Sequence, residues 1–286
     1  MIEWELRELF CDIGRRVWQK GFVAANDGNF SARIDEKRIL VTPTMVSKGF
    51  MKPEDLVVLD IEGKQLEGFR KPTSEIKLHL EILKNRNDVN AIVHTHPPYA
   101  TAFAVVQEPI PKCILPEVEI SLGEIPIIKY ETPGSQEIVE AVKPFLNDFN
   151  LFLLANHGAI AMGLDLMDAY YKIETIDQYC RILLYAYQIG DPKKIDQRKI
   201  QELFKIKEKL GISDRRIQKG IGVSCEFPAP APGSSSNVES HFISGINHIE
   251  KSAKESIAPS GLESEIDINY LTEIVIKVLR EKGITS

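Results

Sequence analysis

The chain of 286 residues lacks most of the features that settle a protein's class at once. No run approaches the roughly eighteen consecutive apolar residues of a membrane-spanning helix. Positive charge is in deficit: 35 Lys and Arg stand against 41 Asp and Glu, a formal charge of −6. That balance removes the basic footprint of a nucleic-acid binder, so an anionic ligand has to be met locally by amides and hydroxyls. The four cysteines show no Cys-x-x-Cys spacing, which speaks against a zinc ribbon or disulfide frame and for buried thiols in a reducing compartment. The opening MIEWELRELF carries three acids before residue 10 and no apolar core of a signal peptide. The expectation is a cytoplasmic protein with neither a membrane nor a nucleic-acid partner. Its 43% hydrophobic and 27% charged content is that of a globular chain, long enough for one sizeable domain and an appendage.

Histidine is sparse too, with six in the chain. Yet three of them fall in two short contexts, His94 and His96 in AIVHTHPP and His157 in LFLLANHGAI. A strand alternates its side chains, so His94 and His96 leave on one face while Thr95 points away. Ala91-Ile92-Val93 reads as a buried strand that Pro97-Pro98 ends. A third imidazole from another strand end completes three protein ligands and leaves a fourth position for substrate or water, the arrangement of a catalytic zinc. A single histidine on an apolar strand is more often a hydrogen-bonded core residue. The three contexts together, with Glu75 upstream in KPTSEIKLHL, point to a metal.

Leu6, Leu9, Phe10, Ile13 and Val17 recur at helical spacing before Gly21, which predicts a helix over 3–20. Short apolar strands are expected at 39–42, 56–60, 91–95, 125–129, 151–155 and 159–162. Helices are expected at 74–85, 98–106, 136–146, 165–188 and about 197–210. The helix over 165–188 carries one apolar stripe through Leu166, Ala169, Ile173, Ile176, Cys180, Leu183, Leu184 and Tyr187, which is core or subunit interface. The strands around Asn156-His157-Gly158 follow each other across a loop too short for a crossover helix, so the sheet contains antiparallel pairs. Beyond about residue 215 the composition changes, and FPAPAPGSSSNVES reads as a flexible linker.

Two further segments bear on substrate. NDGNFSARI places Gly28, Asn29 and Ser31 in a turn, and VTPTMVSKGF supplies Thr42, Thr44, Ser47 and Lys48 after a strand. Thr73 and Ser74 lie at the start of a helix, whose free N–H groups and dipole favour an anion. Alone, Ser74 reads as an N-cap and Gly28-Asn29 as a plain turn; together these residues make a phosphate pocket. Glu75 then sits between phosphate and metal. As an ordinary first-turn glutamate it would complement the helix dipole; beside a cation and a carbon flanked by a carbonyl it can act as general base. A metal polarising that carbonyl makes a Schiff-base lysine unnecessary.

DGNFSAR, TPT, PTSE, HTH and NHG, in this order over residues 26–158, resemble the class II aldolase and adducin family, most closely its L-fuculose-phosphate aldolase branch. The likeness covers about residues 1–210. It implies a three-layer α/β/α domain with a central, mostly antiparallel sheet, assembled as a homotetramer with active sites at subunit contacts. It also implies Zn2+ on His94, His96 and His157, Glu75 as catalytic acid/base, and Gly28, Asn29, Thr44, Thr73 and Ser74 as substrate-binding residues around a sugar phosphate. The chain departs from its relatives in having Met45 where they usually have glycine after TPT. A proton-donating tyrosine is replaced within CILPEVEI, with Glu117 as the stand-in, and a second tyrosine from the family's tail has no counterpart.

The activity so implied is cleavage of a ketose 1-phosphate, such as L-fuculose 1-phosphate, to dihydroxyacetone phosphate and an aldehyde such as L-lactaldehyde. An L-ribulose-5-phosphate 4-epimerase would carry a tail resembling AYYGQ, absent here, and a methylthioribulose-phosphate dehydratase ranks after it. A non-catalytic adducin-like assembly module would lose metal ligands that this chain keeps. The division expected is a catalytic domain over 1–215, a linker over 216–263 and an amphipathic helix over 264–286. In that last segment Ile268, Leu271, Ile274, Val275, Val278 and Leu279 form a stripe between Asp267 and Gly283. It either packs back on its own tetramer or docks on a partner; it is similar to the encapsulation peptides that dock enzymes onto shell proteins of bacterial microcompartments, and its polar face is too poor in basic residues for a membrane surface.

Overall fold

The computed structural model describes residues 2–212 together with Asp214, Lys219 and Cys225. The chain divides into two units, Met1–Pro228 and Ala229–Ser286. The second unit and the expected docking helix over 264–286 lie outside the described residues, as does the linker over 216–263 apart from Lys219 and Cys225.

Eight strands run in chain order as β1 (Asn29–Arg33), β2 (Arg38–Val41), β3 (Val57–Asp60), β4 (Gln65–Glu67), β5 (Ala91–Thr95), β6 (Ile127–Ile128), β7 (Leu151–Leu154) and β8 (Gly158–Gly163). The helices are α1 (Glu3–Gln19), α2 (Ile76–Asn85), α3 (Pro98–Val106), α4 (Pro116–Ser121), α5 (Gln136–Val142), α6 (Leu166–Ile189) and α7 (Gln197–Lys209). The strands form one sheet in the order β4-β3-β2-β1-β5-β8-β7-β6. Every neighbouring pair is antiparallel except β6 with β7. This is the α/β fold with a mostly antiparallel sheet that the resemblance implied.

Alternation along the central strands builds the layers. Val93 and Ala161 face one core with Phe10, Ile13 and Val17 of α1, Ala100 of α3 and the α6 stripe. Ile92 and Ile160 face the other, with Leu78, Ile82 and Leu83 of α2 and Ile138, Val139 and Val142 of α5. Phe10, Ile13, Ile92 and Ile160 are wholly buried, and each such side chain contributes about 1.5–3 kcal/mol. Leu166, Ala169, Ile173, Ile176, Cys180 and Leu183 of the α6 stripe are core, at most 1% exposed, whereas Leu184 and Tyr187 at its C-terminal end are only partly buried. Asp165 caps this helix by accepting the Asp168 N–H at 2.8 Å.

Several elements depart from the sequence expectation. Residues 29–33, expected as a turn, form β1, with Ser31 wholly buried. The strand expected over 125–129 shrinks to Ile127–Ile128, since Pro126 has no N–H to give a ladder. The helix expected over 136–146 ends at Val142 and tightens into a 3₁₀ turn over Lys143–Phe145, which Pro144 enforces by lacking the donor that an α-helix needs. The cysteines also need correction. Cys11 and Cys180 are buried thiols as expected, but Cys113 and Cys225 form a disulfide across 112 residues with Cα atoms 5.8 Å apart. Local spacing carries no trace of a pair that the fold alone brings together.

Candidate active site and metal centre

The middle of the sheet places the histidines. In the β1–β5–β8 register Asn29 lies opposite His94, and His94 opposite Ile160. His96 follows directly after β5 and its N–H donates to the Phe22 carbonyl at 2.8 Å. His157 comes from the tight β7–β8 turn, where Asn156 takes a left-handed φ of 55°. Gly158 after it is a packing requirement. A Cβ there would lie 2.5 Å from the Thr95 carbonyl oxygen and 2.6 Å from His96 Cδ2, so a side chain would push the His96 ring out of place.

The three rings converge. Their centroids lie 4.6–5.1 Å apart, and one ring nitrogen from each falls within 4.8 Å of the others. His94 Nδ1 lies 2.9 Å from the Ala159 carbonyl, which can only accept, so its proton sits on Nδ1 and the Nε2 lone pair is free. That Nε2 is 3.3 Å from His157 Nε2. His96 Nε2 is buried without a hydrogen-bond partner, while its Nδ1 lies 3.6 Å from Asp27 Oδ2. Burial pushes His94 down to about 3 and also lowers His157, with Glu75 opposing both shifts. His94 and His157 are therefore neutral at pH 7, as metal ligation demands. An orphaned nitrogen, a tautomer set by a carbonyl and three convergent lone pairs fit a metal ion.

Glu75 faces this cluster from the N-cap of α2, one position earlier than a first-turn residue. Its N–H reaches Thr73 Oγ1 at 3.3 Å. Its Oε2 accepts from Asn29 Nδ2 at 2.6 Å and lies 3.4 Å from His94 Nε2, while Oε1 is 3.9 Å from His157 Nε2. Burial pushes the carboxyl upward, but His94, His157 and the Asn29 bond outweigh it, and the group lies below the ordinary glutamate range. An ionised carboxylate thus stands beside three lone pairs.

The expected phosphate residues are brought to one side of Glu75. Thr73 N–H donates to the Thr42 carbonyl at 3.1 Å and Thr44 N–H to the Lys71 carbonyl at 3.0 Å, which aligns the turn bearing Thr44 with that bearing Thr73 and Ser74. Gly28 has a φ of 71°, and a Cβ on it would come 2.9 Å from the His94 carbonyl. Met45 holds a left-handed φ of 59°, the conformation that a glycine takes without strain. The side-chain amide of Asn29 is engaged by Glu75, and Ser31, expected near the substrate, instead binds His79 Nδ1 at 2.7 Å. Glu117 is exposed on the first turn of α4. It lines a cavity of about 640 Å³ with Phe22, Tyr99, Asp177 and Arg181, and no hydrogen bond or ion pair joins it to Glu75 or the three histidines. Sequence reasoning missed Asp27 and the buried His79. The second was legible as a polar residue four positions after Glu75 on the same helix face.

Residues 8–184 match the family described as Class II Aldolase and Adducin N-terminal domain. The chain belongs to this family. An L-fuculose phosphate aldolase of Methanococcus maripaludis is 36% identical over 173 residues, 60% of this chain and 93% of the relative. A 3-oxo-tetronate 4-phosphate decarboxylase of Haemophilus influenzae is also 36% identical, over 62% of this chain and 85% of the relative. A solved L-fuculose 1-phosphate aldolase superposes with a TM-score of 0.66 at 26% identity, covering 72% of this chain and 96% of its own. Membership of the class II aldolase family makes this an aldolase-like lyase.

Gly158→Ala should lower metal affinity about 10- to 100-fold, the usual scale when the surroundings of a ligand are disturbed. A competitive chelator titration reads this directly. His79, wholly buried and pushed down by burial to about 4 from 6.5, should confer acid sensitivity. Its folded pKa is depressed, so the unfolded chain binds the extra proton; stability is complete above pH 6.5 and falls as pH drops towards 4. The loss is at most about 3 kcal/mol. Urea titrations in chelator should show His79→Phe losing that much of the wild-type pH dependence.

Proposed function

We propose that the protein is a zinc-dependent aldolase that cleaves a ketose 1-phosphate, such as L-fuculose 1-phosphate, to dihydroxyacetone phosphate and an aldehyde such as L-lactaldehyde. The observation that carries this reading is the ionised Glu75 held by Asn29 against three convergent imidazoles. His94, His96 and His157 would hold the zinc, for which three imidazoles are suited donors. The bound ion would act as a Lewis acid on the substrate carbonyl.

The remaining steps fall to side chains. In the condensation direction Glu75 takes a proton from the hydroxymethyl carbon of dihydroxyacetone phosphate, and the resulting enediolate attacks the aldehyde carbon. Glu117 of a neighbouring copy in the homotetramer protonates the aldehyde oxygen, and cleavage retraces these steps. Gly28, Asn29, Thr44, Thr73 and Ser74 bind the phosphate end. A second reading has specific support in the decarboxylase relative, which is as similar as the aldolase. Loss of CO2 from a 3-oxo-tetronate 4-phosphate yields the same enediolate, to which the same carboxyl would relay a proton taken up from water, giving dihydroxyacetone phosphate. We further infer that residues 264–286 dock onto a microcompartment shell protein, because an apolar stripe on a Pro- and Ser-rich tether suits a groove on a partner.

A panel of 1-phosphorylated ketoses and 3-oxo acid phosphates, assayed for dihydroxyacetone phosphate, separates the two reactions by whether an aldehyde or CO2 accompanies it. Glu75→Gln should keep bound metal and fold but lose about a hundredfold to ten-thousandfold in turnover. Near wild-type turnover would reduce Glu75 to a helix-capping residue. Deleting residues 226–286 should leave an active oligomer while abolishing co-localisation of a fluorescent fusion with microcompartments; loss of activity or assembly would place the segment within the enzyme instead.

A further inference from the structure

Two lysines among the described residues are almost fully buried, Lys48 at 1% and Lys207 at 2% exposure. They are treated differently by their surroundings. Lys207 has a carboxylate, with its Nζ 2.7 Å from Asp214 Oδ2. Lys48 has none within ion-pair reach among the described residues. Its Nζ donates to the carbonyl oxygens of Asn26 at 2.9 Å and Val46 at 2.8 Å. The nearest opposing influence is Asp27, which holds the ammonium up against a burial effect that brings it to about 8.

A neutral donor would satisfy two carbonyls equally well. A buried cation without a counter-ion costs several kcal/mol, so its retention calls for an anion that arrives with a ligand. The two carbonyls say where. Asn26 lies two residues before Gly28 and Val46 two residues after Thr44, so Lys48 fastens together the two turns assigned to phosphate. Its own backbone is fixed from behind, because Gly14 of α1 packs so closely on the Lys48 carbonyl that a Cβ there would overlap the oxygen. The charge therefore cannot withdraw when the turns open.

We propose that Lys48 is the buried cation of the phosphate site, fixing the Gly28 and Thr44 turns through the Asn26 and Val46 carbonyls and supplying the positive charge that amides and hydroxyls lack. This rests on the reading of a phosphorylated substrate, and it adds a specificity for dianionic phosphate over a neutral sugar.

Inorganic phosphate is the probe, titrated calorimetrically into the metal-loaded wild type, Lys48→Met and Lys48→Gln. Gln keeps an N–H donor for the carbonyls and removes only the charge. Both variants should bind phosphate about tenfold or more weakly, the scale of one partly buried charge, with metal content and melting temperature retained in Gln. Wild-type affinity in Lys48→Gln would overturn the charge and leave only a brace. If the wild type itself fails to bind phosphate, the phosphorylated-substrate reading falls first and takes this one with it. Should neither variant fold, the wild type decides: in protein carrying 13C-labelled lysine, saturating phosphate should raise the titration midpoint of the Lys48 Cε resonance, and an unmoved midpoint refutes the proposal.

Discussion

The hydrogen bond from the Asn29 amide to the Glu75 carboxylate, 2.6 Å long, joins the middle of the sheet to the N-cap of α2. A second rung lies beside it, between Ser31 and His79 at 2.7 Å. The spacings explain why two rungs form together. Residues two apart on a strand are about 6.8 Å apart along its axis, and residues four apart on a helix about 6 Å. Asn29 and Ser31 therefore meet Glu75 and His79 with little distortion. With both rungs made, α2 cannot rotate about its axis, and Glu75 stays aimed at His94 and His157. A glutamate on a free surface helix would sample rotamers in solvent instead.

The same clamp settles the electrostatics. Burying a carboxylate is unfavourable unless hydrogen bonds and positive partners offset it. Here the Asn29 amide supplies the hydrogen bond, while burial keeps His94 and His157 uncharged, with His94 brought to about 3, so the positive partner is left to a bound cation. The result is a pocket of one negative charge and three lone pairs, which is most stable once a cation completes it. On the side of Gly28 and Thr44 lies the opposite condition, a buried ammonium held only by carbonyls. A substrate with a phosphate at one end and a carbonyl at the other would be oriented by this polarity before any side chain moved a proton.

How much of this was legible in the sequence follows from what local pattern can encode. The His-x-His strand was readable because Ala91–Thr95 is buried on both faces and bounded by prolines, and the bounds agree with β5. The α6 stripe was readable because eight apolar residues recur at helical spacing over a helix of 24 residues, of which the last two, Leu184 and Tyr187, are only partly buried. β1 was not, because its polar residues Asn29 and Ser31 face α2 rather than solvent, and a glycine just before them imitates a turn. The strand pattern was present, with Phe30 and Ala32 facing the other core, but its polar half has partners that only tertiary structure reveals. The Cys113–Cys225 pair was hidden for the same reason. Of the site, the grouping of His94, His96 and His157 was legible from motif order, whereas Asp27 beside His96 and the burial of Lys48 depended on loop geometry that no periodicity reports.

Glu75 with the histidines, and Glu117, are carried by different parts of the fold. Glu75, the histidines and the Thr44 and Thr73 turns belong to the sheet and α2. Glu117 belongs to α4, whose position is set elsewhere. The neighbouring Glu119 accepts the Cys113 N–H at 2.7 Å, and Lys207 of α7 donates to the Glu119 carbonyl at 3.2 Å. Ile200 of α7 packs against Cys113 in a small cluster of its own. The group proposed to handle the aldehyde is thus anchored to α7 and the disulfide, outside the clamp that aims Glu75. A change in α4 or α7 can therefore move Glu117 without disturbing the Asn29–Glu75 and Ser31–His79 contacts.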